Sequence, residues 1–254
     1  MVSDKISSKL LSSVSQDGLV LPKKTRFENE LISGCKLKDA KLCDPIFDQC
    51  FVENCDFEKA DFSGSRFFNK TSLTHCSFKN TNFQGSGFSN SKFENCTFVK
   101  CDFREASLRD CTFVNCTFSQ CKIIDNSFNA KNISTIKFAG KLQEVNFISD
   151  QPNTPLSADF ELCKLDYVTF ENCNLENVIP PIEPEHIFFK DVAVRAKKAL
   201  TSISAEPESQ INKILKLRLL KLTTQKGAIF NIENLEDYEG KEFTSRLISL
   251  LQDA

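Results

Sequence analysis

Between residues 111 and 124 the sequence reads CTFVNCTFSQCKII, which sets Cys111, Cys116 and Cys121 five places apart. Regularly spaced thiols suggest zinc ligation, disulfide formation or redox chemistry. The 254-residue chain holds twelve cysteines but only two histidines. His75 and His186 have no constellation of ligating or catalytic residues around them in sequence, and each reads as a solvated surface side chain. No glycine-rich phosphate loop follows a strand pattern, and no nucleophile elbow or paired-histidine metal motif occurs. The cysteines are therefore the one feature whose chemistry needs deciding, and the elements that carry them decide it.

Those elements repeat every five residues. From residue 71 the chain divides as TSLTH CSFKN TNFQG SGFSN SKFEN CTFVK CDFRE, and the third place of successive quintets is Leu73, Phe78, Phe83, Phe88, Phe93, Phe98 and Phe103. The pattern runs on through Leu108, Phe113, Phe118, Ile123, Phe128, Ile133 and Phe138. The first place is almost always small: Cys, Ser, Thr or Ala. An earlier block from Phe27 to Phe67 has the same period, offset by one residue near Phe68. After a loop at 148–157 the pattern resumes at Phe160, Leu165, Phe170 and Leu175. A period of five matches neither a helix nor a strand.

A solenoid of rectangular cross-section, with one quintet per side, satisfies this period. The centre and the residue two before it point inward, and four quintets close a coil. Residues about twenty apart then stack at the strand spacing of about 4.8 Å. Phe78, Phe98, Phe118 and Phe138 should form one column with Cys76, Cys96 and Cys116 beside it, and Phe83 and Phe103 another, with Cys101 and Cys121 in the same inward layer. In this geometry cysteines five apart lie on successive sides and do not converge, as a metal site requires. Those twenty apart are parallel, which keeps their Cβ atoms too far apart for a relaxed disulfide. The expectation is a set of free thiols acting as small core fillers, with no metal and no cofactor.

The quintets ADFSG (60–64), CDFRE (101–105), CDFEK (55–59), ADFEL (158–162) and CNLEN (173–177) resemble those of the pentapeptide-repeat family. The resemblance covers residues 25–178 and implies a mainly β fold, a right-handed quadrilateral parallel β-helix. It also implies that the polar second place, as at Asp56, Asp61 and Asp102, is structural or surface-forming rather than catalytic. Some members of that family resemble B-form DNA in size and charge. They bind DNA gyrase or topoisomerase IV, protect it from quinolones or toxins, and pair at their C-termini as homodimers.

The ends complete the plan. Ile6, Leu10, Leu11 and Val14 share a helical face behind Ser3, which suggests an N-terminal helical cap over residues 1–24. Pro180, Pro181 and Pro184 mark a boundary, and residues 179–254 read as an α-helical domain. One helix there carries Phe189, Val192, Ala196, Ala199, Leu200 and Ile203, and a second, starting near Pro207, carries Ile211, Leu215, Leu219 and Leu222. AIFNI (228–232) fits a short strand, and a last helix holds Phe243, Leu247, Leu250 and Leu251.

A formal charge of −2 gives no global pull toward nucleic acid or an anionic membrane. No stretch is long and apolar enough for a signal peptide or a bilayer span. Free thiols suit a reducing compartment, so the expected location is cytoplasmic, with a secreted effector lacking a cleavable signal as the alternative. Candidate binding residues are the acids Asp44, Asp48, Glu53, Asp56, Glu58 and Asp61 on the early quintets, and the basic side of the second C-terminal helix, Lys213, Lys216, Arg218 and Lys221. The leading expectation is a non-catalytic scaffold that binds a protein partner. The alternatives are a DNA mimic that binds a type II topoisomerase, and a host-directed effector. The main repeat block balances acids and bases, whereas a mimic of DNA needs sustained negative potential.

Overall fold

The computed structural model describes residues 13–254. About eight coils of parallel β-solenoid are followed by four helices. Each side of a coil is a strand of about three residues whose central side chain is buried between two more exposed ones. Sides stack in register. Phe27, Phe47 and Phe67 pair down the first side, Ile32, Val52 and Leu73 down the second, and Leu37, Phe57 and Phe78 down the third. The fourth side carries Leu42, Phe62, Phe83 and Phe103, tied by single bridges such as Asp61 to Asn82 and Asn82 to Asp102.

The phenylalanine columns are continuous. In the third column Phe57, Phe78, Phe98, Phe118, Phe138 and Phe160 stack face to face with ring centroids 4.6–5.5 Å apart. Neighbouring columns meet edge to face, as at Phe83 against Phe78 (5.2 Å) and Phe88 (5.7 Å). Offset stacks within a column and T-shaped contacts between columns are the two arrangements an aromatic quadrupole favours. Burying each ring contributes about 1.5–3 kcal/mol, and stacking repeats that gain along the axis.

Corners are made by left-handed residues two places after a centre, among them Asn54, Asn80, Asn95, Asn115 and Gln120, with φ between 51° and 54°. Asn tolerates this region better than most residues. Gly64 takes the same place at φ 66°, and a Cβ there would also collide with the Asp44 carboxylate. The extra residue near Phe68 is Asn69–Lys70, two successive left-handed residues that lengthen one corner and shift later pairing from Phe47↔Phe67 to Val52↔Leu73.

The solenoid reaches further toward the N-terminus than residue 25. Ser15–Asp17 pairs in parallel with Lys36–Lys38, so the helical face expected through Gln16 has given way to a strand there. Val14 is half-buried against the core. Ile6, Leu10 and Leu11 lie outside the described residues.

At the other end the chain forms α1 (Val192–Ser204), α2 (Gln210–Leu222), α3 (Ile232–Glu239) and α4 (Lys241–Gln252). Ser209 caps α2 by accepting from the Asn212 N–H, and Asn231 caps α3 through the Asn234 N–H. The helices enclose a core of their own, including Val192, Ala196, Leu215, Leu219, Leu247 and Leu251, separate from the solenoid core. AIFN (228–231) is a strand, antiparallel to His186–Phe189. No helix of the described residues is long and apolar enough to cross a membrane.

Candidate functional site

The inward first place does more than fill space. Cys76, Cys96, Cys116 and Cys121 donate their thiols to the carbonyls of Val52, Leu73, Phe93 and Phe98, at 3.3–3.5 Å. Each acceptor is a central residue on the neighbouring side of the preceding coil. Thr71, Thr81 and Ser86 make the same bond to Phe47, Phe57 and Phe62, at 2.9–3.1 Å. Cys101 reaches Phe78 in the same way. The first place therefore selects small side chains with a donor, a requirement invisible in a hydrophobicity pattern. Ala40, Ala60 and Ala106 fill it without one.

Eleven of the twelve cysteines are buried, and all twelve are free thiols. Burial pushes the Cys163 and Cys173 thiols up to about 12 and holds Cys111 well above the ordinary range. A thiol kept protonated is neither nucleophile nor ligand. Cys43, which falls outside the inward pattern, is half-buried with its thiol 3.2 Å from an Asp61 carboxylate oxygen. Among the described residues no group of three or more His, Cys, Asp or Glu converges as a metal site would.

The polar second place is structural at several corners, whereas at Asp56 it is exposed. Asp61, Asn82, Asp102, Asp159 and Asn174 each accept the backbone N–H two residues on, at 2.9–3.1 Å, closing the turn at that corner. The early acids do not share a face. Asp48, Glu53, Asp56 and Asp61 lie on four successive sides, Glu58 shares the side of Asp56, and Asp44 stands at a corner. A run contiguous in sequence turns through a right angle every five residues, so it becomes a belt around the coil. Asp48 is also buried, ion-paired with Arg26 and accepting from Asn69 at 2.8 Å. Glu58 faces Lys79 at 3.7 Å.

The last coil is joined to the C-terminal helices by a side-chain clamp. His186 is a buried strand residue, not the surface side chain near a helix start that its sequence setting suggests. Its Nε2 accepts the Leu165 N–H at 3.1 Å. Asn231 donates to the Leu165 carbonyl at 2.7 Å, and Asn234 accepts from the Tyr167 N–H at 2.9 Å and donates to Asp166. Lys164 bridges Glu185 and Glu233. No sequence signal marked His186, Asn231 and Asn234, because their backbone partners leave no pattern in side-chain types. His75 is exposed at a corner, as its outward place implies.

The basic side of α2 is not purely basic. Ile214, Leu217 and Leu220 are exposed, Leu217 by 64%, and Lys213 and Lys221 stand between them on the same face. Lys213 pairs loosely with Glu208, at 3.8 Å. Lys216 is half-buried, and Arg218 turns toward the solenoid, its Nε buried without a hydrogen-bond partner. The helix thus presents leucine and lysine together.

Comparison with known proteins agrees with this architecture. The family profile described as a pentapeptide repeat region matches residues 71–147, and that for pentapeptide repeats in eight copies matches residues 35–69. No curated protein sequence matches the chain significantly. Among solved structures, a trypsin-treated form of QnrB1, a plasmid-mediated fluoroquinolone resistance protein, is 17% identical with a TM-score of 0.41, covering 67% of this chain and 85% of that one. Rfr23, a pentapeptide repeat protein from the cyanobacterium Cyanothece, is 13% identical with a TM-score of 0.21, covering 48% and 88%. HetL of Nostoc, involved in heterocyst differentiation regulation, is 10% identical with a TM-score of 0.23, covering 67% and 91%. The matched stretches, residues 35–69 and 71–147, are pentapeptide repeats, and the sides they form stack as those repeats require.

Proposed function

We propose that the protein is a non-catalytic scaffold that binds another protein through its C-terminal helices. The exposed row of Ile214, Leu217 and Leu220 on α2 carries this reading. Three large aliphatic side chains contiguous on one helix face are costly to leave in water and mark a docking surface when they cluster. The interleaved Lys213 and Lys221 favour a partner with apolar and acidic side chains. A second copy is the weaker occupant, since a two-fold axis through α2 would set these lysines against themselves.

The belt of acids counts against DNA mimicry as the route to a partner. A mimic needs negative charge continued along the axis, at a spacing of about twenty residues in this fold. Asp56 is instead followed down its column by Ser77 and Thr97, and Asp61 by Asn82. Cross-linking capture with wild type and Leu217→Glu tests the scaffold reading. A partner retained by wild type and lost with the variant is the expected result. Equal capture by both removes α2 as the docking face.

A further inference from the structure

A solenoid must finish its last coil, and three of the four sides here are finished by the chain itself. On the fourth side Leu165 is capped by His186 and Asn231. On the third, Phe160 donates to the Ile179 carbonyl and Ile179 to the Ala158 carbonyl. On the second, Leu175 donates to the Lys226 carbonyl. The first side ends at Thr169–Glu171, which pairs only backward, with Asn146–Ile148. In earlier coils the residue two before the centre accepts from the next coil, as the Thr25, Pro45, Ser65 and Ser86 carbonyls do. The residue two after it donates forward, as the Asn29 and Gln49 N–H groups do. Their counterparts at the open side are the Val168 carbonyl and the Asn172 N–H, and neither has a partner within the described residues.

The space a further strand would occupy is a cavity of about 610 Å³, bounded by Phe170, Leu175, Leu222 and Ile229, with Arg218 and Lys221 at its rim. Past Arg218 a second hollow of about 240 Å³ continues toward Tyr167 and Tyr238. Phe170 is only half-buried, its ring stacked on Phe147 at 5.4 Å and open on the far side. Arg218 and Lys221 have no ion-pair partner among the described residues, and the Arg218 Nε is buried unbonded. Glu171 is the one acid lining the larger cavity, so its charged groups sum to a net positive.

We propose that this open side is a peptide-binding groove. An extended segment of a partner protein adds as the missing strand beside Thr169–Glu171, with an apolar side chain over Phe170 and an acidic one at Arg218 and Lys221. The guest's N–H donates to the Val168 carbonyl, its carbonyl two residues on accepts from the Asn172 N–H, and main-chain pairing supplies affinity while the pocket supplies selectivity. One quintet, about 17 Å of strand, is the length of a side. This deepens the protein-binding reading but uses a different surface from the outer row of α2, and either can fail without the other.

The test uses the full chain and fluorescein-labelled pentapeptides with Val, Leu, Ile or Phe at the centre and Glu, Gln or Lys beside it, read by anisotropy. The Glu series should bind at least tenfold tighter than the Lys series. Arg218→Gln should erase that preference while Leu217→Glu leaves it intact. N-methylating the guest amide that faces Val168 should abolish binding, a change that leaves the protein's own folding untouched. Bound peptide should also slow hydrogen exchange at Asn172. Failure of all three series to bind, or binding indifferent to N-methylation, overturns the groove.

Discussion

Raising the pH attacks this fold through its thiols. In the native state burial keeps the proton on Cys163 and Cys173, whose thiols are pushed up to about 12. In the unfolded chain an ordinary thiol releases its proton near pH 8.5–9. Above that value the unfolded state binds fewer protons than the native state, so stability falls as pH rises, and it is fully present below about pH 8.5. Each such thiol removes about 1.4 kcal/mol per pH unit, or about 2 kcal/mol between pH 9 and 11. Burial raises Cys50 and Cys111 as well, which adds to the fall in the same direction, and the two thiols at about 12 alone withdraw about 4 kcal/mol over that interval, a large part of the stability of a typical domain. Urea unfolding followed by far-ultraviolet circular dichroism at pH 7, 9, 10 and 11 measures the fall. Cys163→Ala isolates one thiol from the lysines and tyrosines that also titrate, and its stability should fall by about 2 kcal/mol less than that of wild type between pH 9 and 11. Parallel falls for the two proteins would refute the reasoning.

Phe118 stacks on Phe98 at 4.6 Å and on Phe138 at 5.4 Å, so Phe118→Ala should cost about 3–5 kcal/mol in urea unfolding. Cys116→Ala loses one thiol bond to the Phe93 carbonyl and should cost about 1 kcal/mol; equal costs would contradict the packing account. His186→Ala leaves the buried Leu165 N–H without an acceptor, a loss of about 1–3 kcal/mol, and should raise hydrogen exchange at Leu165 while Phe98 stays protected. Uniform deprotection of both residues would show that His186 supports the whole solenoid rather than its junction.

Much of the solenoid is legible in the sequence because its rule is periodic and written in side-chain size. Phe78, Phe98, Phe118 and Phe138 stack as the five-residue step requires, and Cys76, Cys96 and Cys116 stand beside them. What the pattern hides is directional. It shows Cys, Ser and Thr as small, yet not that Cys76, Cys96, Cys116, Thr71, Thr81 and Ser86 donate to a carbonyl in the preceding coil. It shows Asp44 to Asp61 as an acidic run, yet a run along the chain becomes a ring around the axis. The C-terminal helices were legible from spacing, apart from α3, whose eight residues carry Leu235 as their single buried side chain. The clamp at Leu165 was not, since His186, Asn231 and Asn234 recognise backbone atoms. Nor does any residue type announce an unpaired edge. The open side beside Phe170 is visible only when the bonds of the other three sides are accounted for.

The central claim is that the repeated thiols are packing, not chemistry, and counting them tests it most directly. Titration with a disulfide reagent at pH 8 should find at most one reactive thiol in the native protein, the half-buried Cys43, and all twelve after denaturation. Several reactive thiols in the native protein, or zinc released as they react, would contradict the account.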